Sequence, residues 1–248
     1  MSNRIAPKLL AEFIGTFALI FIGAGAGAVV GDGVGLPGLI AIAFAHGLTV
    51  MAFAFAYGSV SGGHFNPSVT VGVLAAGAMS AGEAFGYIVS QLFGGVAGAL
   101  LLKTVLGGAA TGLGMPALAH NLALGATTLT VTPWAGFVIE AMLAFFLVTV
   151  VLSTAVAGRA GNLAPLAIGM TLTLNIIMGG ALTGAAFNPA RALGPMVATG
   201  NFNDAWLYLT APVVGAIIAA LLHTGLARLA QQGMATGRPG RAAQSPAE

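Results

Sequence analysis

Six apolar runs, at roughly 9–30, 38–58, 84–106, 134–157, 163–181 and 205–227, occupy most of this chain. Each can cross a bilayer as a helix, for which about 20 apolar residues suffice. The runs predict an all-α membrane protein with six transmembrane helices. Composition agrees: of 248 residues, 58% are hydrophobic and only 6% charged, too few for the surface of a soluble domain this size. With a net charge of +2, the basic pI reflects scarce charges and not a basic face, so nucleic-acid binding has no support. The chain has no cysteine, which excludes a disulfide framework, a thiolate nucleophile and a Cys-based metal site. Neither metal nor cofactor is expected. The first run is long enough to span and no small-residue cleavage site stands out, so no removable signal is expected.

The breaks are short. Gly31-Asp32-Gly33 separates the first two runs, and Gly158 to Asn162 links the fourth and fifth. A longer loop, Gly107 to Pro133, is rich in Gly, Thr and Pro. The polar stretch 231–248 reads as a disordered tail beyond one channel domain at 1–230. With six spans, Arg4, Lys8, Arg159, Arg228, Arg238 and Arg241 share one side, and only Lys103 and Arg191 do not. The positive-inside tendency then puts both termini in the cytoplasm.

Two segments fit neither spans nor ordinary loops: Ser61 to Gly72 and Thr183 to Gly194. They align on Phe-Asn-Pro, with Asn66 and Asn188 122 residues apart. Tyr87 onward echoes Tyr208 onward at a spacing of 121, and Glu12 and Glu140 each sit early in the first span of a half. The chain is read as a duplication, with repeat one at about 8–106 and repeat two at about 134–229. Three spans per half force the second half to be inverted in the membrane.

Proline is favoured at the first helical position and Asn just before it is a good N-cap, so Asn66-Pro67-Ser68 and Asn188-Pro189-Ala190 each open a short helix. The apolar run after each is about ten residues, roughly half a membrane thickness. Inverted symmetry brings the two N-termini together near the midplane. Two helix dipoles and two Asn amides then present positive potential and N–H donors at one point. A water there gives both lone pairs to the amides and cannot accept a proton from its neighbour, while the field opposes cations. Arg191 adds a full charge three residues on, and an ionisable residue at membrane depth is a functional candidate.

Paired Asn-Pro-Ala boxes with Arg after the second are the signature of the aquaporin (major intrinsic protein) family, which this sequence resembles from about Lys8 to Leu229. Ser68, where Ala is usual, is a small-for-small exchange expected to matter little. The resemblance implies the hourglass fold, a homotetramer with one pore per subunit, and an outer selectivity filter at His46, Ile176, Ala185 and Arg191. That set looks like the plant tonoplast branch, which often passes ammonia, urea or peroxide besides water; overall the chain is similar to a prokaryotic-type aquaporin of the inner cell membrane. Glycerol facilitators have Asp after the Arg, where this chain has Ala192, so that branch fits less well.

Other residues have two readings. His64 beside the first box is expected to pin its loop. His120, in the long third loop, is either exposed or dips into the outer mouth beside Arg191, where it would exchange protons with a passing ammonium. Glu12 and Glu140 suggest an ion path or, given their symmetric placement, braces that accept loop N–H bonds. The runs Gly23 to Gly27 and Gly94 to Gly98 permit close helix crossing, and no Lys-Ser/Thr follows them to make a phosphate loop. The expected function is a passive channel for water and small neutral solutes (ammonia, with urea, hydrogen peroxide or glycerol as candidates). Alternatives are an ion-coupled secondary transporter of a small solute and a non-conducting scaffold. An intramembrane enzyme has no visible Ser-His pair, His-Glu-x-x-His or Asp dyad.

Overall fold

The structure is a computed structural model that describes residues 5–31 and 35–236, with side chains to 230. Six helices are long and apolar enough to span: α1 (Ile5–Val30), α2 (Gly35–Ser61), α4 (Ala81–Val105), α5 (Pro133–Val156), α6 (Ala164–Thr183) and α8 (Ala205–Thr236). Two short helices, α3 (Pro67–Ala75) and α7 (Pro189–Thr199), follow the two Asn-Pro pairs. The expected spans match to within a few residues. The backbone continues as helix through Thr236, so the first residues assigned to the tail extend α8. The remainder of the tail lies outside the described residues, as do Arg4, Arg238, Arg241 and the Asp32-Gly33 break.

Local sequence sets the boundaries. Thr132 caps α5 through Ala135 N–H, with Pro133 in the first turn, and Ser80 caps α4 through Glu83 N–H. α6 and α7 end on Gly184 and Gly200 in the left-handed conformation that glycine adopts without strain. Two segments depart from α geometry: Leu19–Ala24 within α1 and Leu152–Val156 at the end of α5 are π-helical. The third loop is not featureless. Leu122–Leu124 (β1) and Thr127–Leu129 (β2) pair as an antiparallel hairpin, and Leu113, Leu118 and Val131 are buried.

The halves interlock. α1 packs on α4 and, by symmetry, α5 on α8, while α2 and α6 pair across the halves. Each short helix lies against the other repeat, α3 on α8 and α7 on α4. Two symmetric glycines permit this: a Cβ on Gly94 would collide with the Phe13 carbonyl, and one on Gly215 with the Ala141 carbonyl. Large apolar side chains such as Phe85 and Phe93 are exposed around the bundle, as lipid contact requires. Trp134, Phe137 and Trp206 cluster where α5 and α8 begin, as an interfacial aromatic belt would.

Candidate functional site: a pore between two Asn-capped half-helices

Both Asn side chains cap as their sequence predicts. Asn66 Oδ1 accepts from Ser68 N–H at 2.8 Å; Asn188 Oδ1 accepts from Ala190 and Arg191 N–H at 3.0 and 3.2 Å. Their amide nitrogens reach across the two-fold axis. Asn66 Nδ2 donates to Phe187 O at 3.1 Å and Asn188 Nδ2 to Phe65 O at 2.9 Å. Each NH2 has two protons, so one is committed to the opposite loop and the other is free for a solute. The two Asn are almost fully buried, and Pro67, Ser68, Pro189 and Ala190 are buried with them.

Close approach of α7 to α4 needs Gly95, where a Cβ would stand 2.6 Å from Ala190 O. Ser68 does more than fill space. Its hydroxyl lies 2.8 Å from Asn66 Oδ1 and 3.1 Å from Phe187 O, so it ties the first cap to the second loop, a bond Ala cannot make.

The loops before the half-helices are held by the two buried glutamates. Glu12 accepts from Ser61 Oγ (2.6 Å), His64 N–H (2.9 Å), Phe65 N–H (2.7 Å) and Gln91 Nε2 (2.7 Å). Glu140 accepts from Thr183 Oγ1 (2.6 Å), Ala186 N–H (3.0 Å) and Phe187 N–H (2.5 Å). Tyr87 and Tyr208 complete the symmetry by donating to Ser61 O and Thr183 O. Sequence reasoning placed both tyrosines in the repeat but gave them no part here. These bonds fix a backbone strained at Phe65 and, in the other half, at Ala185 and Phe187, where non-glycine residues have positive φ; Gly62, Gly63 and Gly184 take positive φ without strain. His64 N–H and side chain both pin its loop, Nδ1 lying 3.1 Å from Thr70 Oγ1 in hydrogen-bond contact.

Below the two Asn lies a narrow cavity of about 20 Å³. One part of its lining is the 62–66 loop; the rest is apolar, including Leu19, Val50, Ile168 and Leu172. A file of waters in such a space bonds to one wall and slides along the other.

On the other side of the Asn pair, Arg191 is buried, with Nη1 donating to Gly114 O at 2.8 Å and Nε–H without a protein partner. The long loop therefore does fold over the second half-helix, but it reaches Arg191 with the Gly114 carbonyl. His120 is exposed, and the Arg191 hydrogen bond does not go to it. His46 Nδ1 lies 2.9 Å from Ile42 O, and since a carbonyl only accepts, Nδ1 carries the proton. Nε2 is then an acceptor, buried and without a protein partner. Ile176 on α6 and Ala185 in the loop that follows it are buried.

Gly23, read from sequence as helix packing, makes room for this ring: a Cβ there would stand 2.7 Å from His46 Cδ2. It lies in the π-helical stretch of α1, a distortion common at functional sites. Of the two basic residues off that side, Arg191 bonds the Gly114 carbonyl and Lys103 Nζ donates to Ala198 O at the C-terminal end of α7.

The comparisons with known proteins agree with this geometry. The major intrinsic protein family model matches residues 2–223. A probable aquaporin TIP1-2 of Oryza sativa subsp. japonica is 40% identical over 226 residues, covering 88% of this chain and 85% of that one. A glycerol uptake facilitator protein-like 6 of Lactiplantibacillus plantarum is 38% identical, covering 86% and 94%. In three dimensions the chain is similar to the X-ray structure of an aquaglyceroporin from Plasmodium falciparum, with a TM-score of 0.76 at 22% identity over 92% of this chain and all of that one. With paired, crossed Asn caps and a match across nearly its whole length, the chain belongs to the major intrinsic protein family, an integral membrane family of channels and not of enzymes.

Proposed function

We propose that this protein conducts water and small neutral solutes, ammonia foremost, and excludes protons and other ions. The observation that carries the reading is the pair of Asn amides, each with one N–H committed across the axis and one free. A water that accepts from both free N–H groups cannot relay a proton, and two helix N-termini repel cations at the same point. The ion-coupled transporter loses its two candidate carboxylates, since Glu12 and Glu140 are both spent on loop N–H and hydroxyl groups.

The outer site narrows the solute class. Arg191 offers donors, His46 Nε2 offers an acceptor, and Ile176 and Ala185 offer no polar group. Ammonia both accepts through its lone pair and donates, so it suits this set as water does; urea, hydrogen peroxide and glycerol are further candidates. The relatives' names span aquaporins and a glycerol facilitator, which leaves the class open to all of these. His120 is kept as a proton-exchange site for ammonium at the mouth, tested by His120→Ala. The protein is further proposed to be a homotetramer in the inner cell membrane with both termini cytoplasmic, in line with Lys8, Arg159 and Arg228 on one side.

The test is a solute panel in proteoliposomes. Ile176→His with Ala185→Cys adds bulk and polarity at the filter and is expected to lower ammonia, urea and glycerol flux relative to water. Unchanged flux ratios would remove the filter from the account.

A further inference from the structure

Between α5 and α8, toward the end that carries Arg159, lies a second cavity of about 280 Å³ that the pore does not use. Part of its lining is apolar, including Leu222 and Leu226, whose side chains are exposed on the outside of the bundle. The polar part consists of Thr149, Ser153, Arg159 and His223.

Two features set this place apart. A Thr hydroxyl in an apolar helix ordinarily bonds back to the carbonyl one turn earlier, as Thr49, Thr171 and Thr210 do. Thr149 Oγ1 does not: it is buried and has no hydrogen-bond partner, a state costly to leave unmet. The helix then turns π at Leu152–Val156, which carries Ser153. The second feature is charge. Among the described residues no carboxylate lines the cavity, and the ion pair at this end of the bundle is Lys8 with Glu83. Arg159 is exposed and uncompensated there.

A cation, an imidazole and two hydroxyls above an apolar groove match one amphiphile. We propose that this cavity binds an anionic phospholipid of the adjoining leaflet. Its phosphate pairs with the Arg159 guanidinium and takes a bond from His223, the Thr149 and Ser153 hydroxyls donate to phosphate or ester oxygens, and an acyl chain lies along Leu222 and Leu226. The proposal needs only that the chain sits in a bilayer, and does not depend on what the pore conducts.

Native mass spectrometry of the purified protein, titrated with dioleoylphosphatidylglycerol or dioleoylphosphatidylcholine, tests it. The anionic lipid is expected to be retained at least about fivefold more tightly, the factor one basic residue contributes near an anionic leaflet. Arg159→Gln is expected to abolish that preference and Thr149→Val to weaken retention of both lipids, each with wild-type water flux in phosphatidylcholine vesicles. Equal retention of the two lipids, or a preference that survives Arg159→Gln, overturns the proposal. So does displacement of phosphatidylglycerol by millimolar inorganic phosphate, which would mark a free-anion site. A change of oligomeric state in Arg159→Gln overturns it too, by assigning the face to a second copy. If Arg159→Gln fails to fold, undiminished retention of phosphatidylglycerol in Thr149→Val is the overturning result.

Discussion

Glu140→Gln tests whether the buried glutamates hold the pore open. In the native protein both carboxylate oxygens of Glu140 are used, by Thr183 Oγ1, Ala186 N–H and Phe187 N–H. A carboxamide has one acceptor oxygen. Whichever way it turns, its NH2 faces at least one backbone N–H, which is buried and left without a partner. That orphan costs about 1–3 kcal/mol. The surviving bonds lose their charge, and a neutral hydrogen bond has roughly half the strength of a charge-assisted one. Together the loss is about 3 kcal/mol of stability. Either orphan lies in the Ala186-Phe187 loop, and the Phe187 carbonyl accepts the Asn66 amide and lies within reach of the Ser68 hydroxyl, so conduction suffers as well. The assay is reversible unfolding in mixed micelles, with water flux measured on the same preparation. Stability within about 0.5 kcal/mol of wild type, less than the cost of one orphaned buried donor, and unchanged flux would refute the bracing argument.

Gly95→Ala drives a methyl toward Ala190 O and is expected to destabilise the protein by about 1–3 kcal/mol; thermal unfolding in detergent reads this. Gly23→Ala presses on the His46 ring and is expected to alter the solute ratios more than the melting temperature, measured by parallel flux and unfolding assays. Because the chain has no thiol, water flux is expected to be insensitive to mercurials, and Ala185→Cys is expected to confer block; strong inhibition of wild-type protein in pure proteoliposomes would contradict the first half.

The parts legible in the sequence were those with a local physical cause. Asn-Pro on an apolar flank is a helix start wherever it occurs, and its recurrence after 122 residues with three spans per half carried the inverted repeat. For Glu12 and Glu140 the sequence leaves an ion path and a bracing role side by side, and only their symmetric placement favours bracing. What was not legible depends on contacts between segments distant in sequence. Gly23 looked like any small residue in a packed helix until the His46 ring was found against it. The long third loop offered a histidine, the residue type that invites a chemical role, yet the group at Arg191 is the carbonyl of Gly114, and every residue has a carbonyl. Ser68 was read by size, and its hydroxyl bonds across the axis. The two π-helical stretches left no composition signal that helix propensity distinguishes.

The central claim is a pore that passes water and stops protons, and it is tested most directly by stopped-flow light scattering of reconstituted vesicles with a pH-sensitive dye inside. The account predicts osmotic shrinkage far faster than in empty vesicles, with a low activation energy, while an imposed pH gradient decays no faster than in the empty control. Water flux equal to that of empty vesicles, or rapid water flux with equally rapid collapse of the proton gradient, would contradict it.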